Sequence, residues 1–136
     1  MSQTNSIPIL RVGDKLLVSI QVDLTDDLVI ALQGDILATL EKQPARGILM
    51  DISALDTVDS YMGRMIADIG RQVAIMGARA VVTGIRPAVA IALIEMGISL
   101  GNVETALDID SGIACLDRDS SDPRLADDDV QVGGET

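Results

Sequence analysis

The 136-residue chain contains no histidine, tryptophan or phenylalanine, and Tyr61 is its only aromatic residue. Without histidine it lacks the side chain that titrates near neutral pH and most often ligates metals. Without aromatic faces it offers no platform on which nucleobases stack. Most ordinary active sites are disfavoured, and neither a metal nor a cofactor is expected. One cysteine, Cys115, forms no internal disulfide or metal cluster and reads as a small buried apolar residue. No apolar run approaches the roughly 18–20 uncharged residues that span a bilayer. The start "MSQTNSIPIL" also lacks the basic, then apolar, pattern of a signal peptide. The expectation is a cytoplasmic protein.

Positive charge is scarce as well: 10 Lys and Arg face 21 Asp and Glu, a formal net charge of −11. Such a chain repels phosphate backbones and anionic membranes, because binding them depends on cations that displace counterions. Its expected partners are proteins. The acidity is concentrated in the last twenty residues, "DRDSSDPRLADDDVQVGGET", where seven acids meet two arginines. Too little apolar surface is present there to offset the entropy of ordering. Residues 119–136 are therefore expected to form a disordered acidic tail, and residues 1–118 one domain.

What is present alternates between two periodicities. "IPILRVG" and "KLLVSIQV" read as two strands joined at Gly13-Asp14, an N-terminal hairpin. In "LTDDLVIALQGDILATLEKQ", Val29, Leu32, Ile36, Leu37 and Leu40 share a helical face, with Thr25 as cap and Asp26 and Asp27 in the first turn. "GILMDI" and "ARAVVTG" are continuous apolar runs, as expected of strands covered on both faces. Between them, Met62, Met65, Ile66, Ile69, Val73 and Met76 mark the core face of a second helix, opposite Arg64, Asp68, Arg71 and Gln72. Pro87 opens a third helix that stops at Gly97; "NVETALDI" reads as a fifth strand and "DSGIACLDR" as a last helix. The order predicts an α/β domain: a mostly parallel five-stranded sheet, an antiparallel N-terminal hairpin and flanking helices.

In such a sheet the loops after neighbouring parallel strands gather along one edge, where ligands and partners usually bind. That reasoning places the loop after "GILMDI", with Ser53, Asp56, Thr57, Asp59 and Ser60, beside the loop bearing Gly84, Ile85 and Arg86. Ser60 stands where a helix begins. It reads either as an N-cap or as a hydroxyl presented to a partner. Thr83 reads as a strand-end hydroxyl bonded to nearby backbone.

"DISALDTVDSYMGRMIADI" followed by "GARAVVTGIRPAVAIALIEMGISL" resembles the STAS domain of anti-sigma factor antagonists, and more closely its RsbS-type branch. The resemblance spans about residues 7–118 and excludes the acidic tail. It implies a STAS-like fold and a non-enzymatic scaffold of a stressosome, a homo-oligomer (dimer) that joins RsbR-type paralogues in a large hetero-assembly. It further implies that an RsbT-type serine kinase is held until phosphorylation releases it. The serine that follows Asp in the family corresponds to Ser60, with Asp56, Asp59, Tyr61, Arg64 and Arg86 as candidate partner-binding residues. Tyr61 departs from the phenylalanine expected after that serine but keeps an aromatic body. The alternative within the same fold is a stand-alone antagonist of an anti-sigma kinase. A small nucleotide-binding enzyme is disfavoured because no Gly-rich phosphate loop of either common type occurs.

Overall fold

The computed structural model describes residues 7–21, 25–101 and 103–118. The expected acidic tail, residues 119–136, lies outside the described residues. Two short strands, β1 (Ile9–Val12) and β2 (Lys15–Ser19), form the antiparallel hairpin, and Gly13 supplies the positive φ of its tight turn. Helix α1 (Asp26–Lys42) begins at Thr25, whose hydroxyl accepts the Leu28 N–H at 3.2 Å. Its buried face is Val29, Leu32, Ile36 and Leu40, so Leu37 lies at the margin of the predicted stripe.

The remaining elements follow in strict alternation: β3 (Gly47–Asp51), α2 (Ser60–Ile75), β4 (Arg79–Thr83), α3 (Pro87–Glu95), β5 (Val103–Ala106) and α4 (Ile109–Asp117). The five strands lie side by side in chain order, with β2 to β5 parallel. Because each crossover steps in the same direction, the right-handed crossover preference assigns α1, α2 and α3 to one face. The core agrees: Ile48, Met50, Ala80 and Val82 pack there with residues of all three helices. Leu49 and Val81 point the other way, onto Cys115 and Leu116 of α4. A 9-residue helix is thus the cover of the second face, and it sits close because Gly47 and Gly112 lack side chains. A Cβ on Gly47 would lie 2.5 Å from Leu116, and one on Gly112 would lie 2.6 Å from Leu49.

The lower end of α4 is tied to the amino edge of the sheet by charge. Lys15 is only 6% exposed, and its ammonium lies 2.6 Å from Asp117 and 2.8 Å from Asp14. These carboxylates, Asp117 first, push the lysine above its ordinary pKa. Hydrogen bonds from Lys15 and then Arg46 lower Asp14 to about 2. Arg79 adds a bidentate pair to Glu104, at 2.8 Å for both bonds, and donates to the Arg118 carbonyl at 2.7 Å.

Two element ends differ from the sequence reading. Met76 lies beyond the last turn of α2, as its C-cap, and is 42% exposed; the small residues Gly63, Ala67 and Gly70 take buried positions instead. Strand β5 stops at Ala106, because Asp108 turns to cap α4, accepting the Ser111 N–H at 2.8 Å. Leu107, expected inside the strand, is 84% exposed.

Candidate functional site

The carboxyl ends of β3 and β4 are adjacent, with Asp51 opposite Thr83, so the loops that follow them share an edge as predicted. Three side chains close the strand ends. Asp51 accepts from the Thr83 hydroxyl at 3.0 Å and from the Ser53 hydroxyl at 2.8 Å. Thr83 is fully buried, and its hydroxyl bonds this carboxylate, whereas the sequence suggested backbone. Gly84 follows at φ +76°, where a Cβ would lie 2.7 Å from that of Ser53 and 2.9 Å from Asp51 Oδ1. The tight approach of the two loops therefore needs glycine twice over, for conformation and for space.

Arg86 fastens the loops from above. Its Nε donates to the Ser53 carbonyl at 2.9 Å and its terminal nitrogen to Asp56 Oδ1 at 2.6 Å. Two of the candidate residues, 30 positions apart, thus bind each other. The contact fixes the shape of the segment that leads into α2.

The start of α2 separates two roles that the sequence left joined. The N-cap is Asp59, in extended conformation, and its carboxylate accepts the Met62 N–H at 2.8 Å. Ser60 is the first helical residue, and its half-buried side chain makes no hydrogen bond among the described residues. The hydroxyl is left available. Tyr61 follows at 41% exposure beside the start of α1. Partial desolvation and then the nearby Asp26 carboxylate raise its phenol above the ordinary value. Arg64 is exposed one turn below Ser60.

A separate cleft of about 360 Å³ opens on the α4 side of the same loops, with Asp51 and Ser53 on one wall and Asp108 and Asp110 on the other. It does not include Ser60. Cys115, on the buried face of α4, donates to Glu104 at 3.2 Å, and burial, then that carboxylate, pushes the thiol up. No helix among the described residues is long and apolar enough to cross a membrane. The role of Asp51 was missed in the sequence; its signal was a charged residue ending the apolar run "GILMD".

Comparison with solved structures decides the family. RsbS of Moorella thermoacetica, solved with a serine-to-glutamate substitution, is 39% identical with a TM-score of 0.72, covering 82% of this chain and 94% of that one. The chain belongs to the RsbS branch of the STAS-domain family. A second match comes from the molecular architecture of the stressosome, a signal integration and transduction hub. It is 40% identical with a TM-score of 0.72, over 81% of this chain and 96% of that one. The anti-sigma factor antagonist SpoIIAA in its unphosphorylated form shares the fold alone, at 14% identity and TM-score 0.58, over 74% of this chain and 87% of that one. No protein-family model and no curated protein matches.

Proposed function

We propose that this STAS protein is a non-catalytic regulatory scaffold that holds an RsbT-type serine kinase and releases it when Ser60 is phosphorylated. The observation that carries the reading is the division of labour at α2: Asp59 caps the helix, so Ser60 is not needed there and presents an unengaged hydroxyl. The kinship with RsbS and with a stressosome chain supports assembly with RsbR-type paralogues, through dimers into a large cytoplasmic particle.

Phosphorylation would add a charge of about −1.5 to −2 at the first helical position. The partial positive charge of a helix N-terminus tolerates that anion, so the domain stays folded while its edge gains negative charge and bulk. Asp59, Tyr61 and Arg64 surround the acceptor in sequence, and the Asp56–Arg86 pair holds the neighbouring loop in shape. A kinase seated over this edge would be repelled.

The test is peptide-resolved mass spectrometry after incubation with the cognate kinase and ATP. One added phosphate is expected on the parent and none on Ser60→Ala. Full labelling of the alanine variant would overturn the assignment. Size-exclusion with an RsbR-type partner separates the scaffold, which shifts to a large particle, from a stand-alone antagonist, which does not.

A further inference from the structure

Most cations of the described domain are committed to partners. Arg86 is held by Asp56 and the Ser53 carbonyl, Arg71 by Asp68, Arg79 by Glu104, and Lys15 and Arg46 by Asp14. Arg64 makes no ion pair or hydrogen bond among the described residues, and it is exposed. It also stands four positions after Ser60 in one uninterrupted helix, α2. Residues so spaced lie on one helical face with their Cβ atoms about 5–6 Å apart. A helical side chain leans toward the N-terminus, which carries the Arg64 stem toward the first turn. Below it, Arg64 lines a groove of about 280 Å³ with Asp68, Arg71, Met96 and Ile98, so the stripe headed by Ser60 continues into an open surface.

We propose that Arg64 receives the phosphate of Ser60 within the same helix, an inference that rests on Ser60 being the modified residue. The anion lies N-terminal to the cation, the favoured orientation for such a pair. Guanidinium also matches phosphate oxygens in a fork of two hydrogen bonds. Modification then does two things to this face: it adds an anion and withdraws the uncommitted cation. The neighbouring acids are Asp59, beside Ser60 in sequence, Asp56, which binds Arg86, and Asp26, which lies near Tyr61; none of these carboxylates competes for the phosphate. Arg86 is the other cation of this edge, and it is already held by Asp56 and the Ser53 carbonyl.

The experiment installs phosphoserine at position 60 by genetic encoding, so it does not depend on any kinase accepting this site. Phosphorus NMR then follows the second ionisation of the phosphate, ordinarily near pH ~6, in the full-length parent, Arg64→Gln, Arg64→Lys and Arg86→Gln. The parent is expected to ionise a few tenths of a pH unit below Arg64→Gln at low salt. The gap should close as salt is raised and be partly restored by Arg64→Lys. Identical titrations in the parent and Arg64→Gln would overturn the proposal, as would a shift that disappears in Arg86→Gln instead. Failure of the cognate kinase to label Ser60 would count against the proposed function and leave this result standing.

Discussion

Replacing Asp59 and Ser60 one at a time separates capping from presentation. Asp59→Ala removes the carboxylate that accepts the Met62 N–H at 2.8 Å, leaving a first-turn donor without its protein partner. Loss of an N-cap of this kind costs ~1 kcal/mol, within about 0.5–2 kcal/mol. In a domain of this size that lowers the thermal midpoint by about 3–8 °C. Ser60→Ala, one residue on, removes a hydroxyl that bonds nothing among the described residues and introduces the best helix former. Its effect should stay within about 0.5 kcal/mol. Urea unfolding with a shared m value, alongside calorimetric melting, measures both. If Ser60→Ala costs as much as Asp59→Ala, the hydroxyl has a structural partner, and the argument that it is free for modification fails.

Three more outcomes are expected. Leu116→Ala empties a fully buried position between α4 and the sheet and should cost about 2–5 kcal/mol by urea unfolding, with α4 amides losing protection first. Gly84→Ala forces a side chain into φ +76° and against Ser53; it should destabilise by about 1–3 kcal/mol and shift the NMR signals of residues 51–53. The Lys15 clamp sets a pH limit. Asp14 ionises at about 2 in the folded chain against an ordinary 3.8, so its contribution is complete above 3.8 and lost as pH falls toward 2. Lys15 is shifted upward, so its contribution is complete below 10.5 and lost above that value. Lys15→Met should flatten the acid limb of a melting-temperature profile; an unchanged limb would show that the clamp does not set it.

Much of the fold was legible because its elements obey local rules. Helix α1 carries its cap, its acidic first turn and its apolar stripe within one stretch, and the structure follows each. The boundaries that moved did so where two local rules compete. Asp59 and Ser60 are both good caps in succession, and only the backbone decides which one lies outside the helix. Met76 keeps the helical spacing but falls past the last turn. Leu107 looks like strand because it is apolar, yet the capping of α4 by Asp108 ends β5 before it. The site edge was predicted from topology, but its fastening was not. Arg86 and Asp56 are remote in sequence, as are Thr83 and Asp51, and nothing short of the folded sheet brings them together.

Strand order that follows chain order has a consequence for how the molecule assembles. Each strand pairs with the one just before it in the chain, so every parallel pairing closes only one helix-length loop. Helix α4 breaks the pattern, since it packs not only on β5 but across β4 and β3 as well. Its seat, made by Leu49, Val81, Gly47 and Thr83, does not exist until those two strands have paired. Docking of α4 is then the step that converts a growing sheet with one bare apolar face into a sealed one, and on a ribosome it must wait for the end of the domain to emerge.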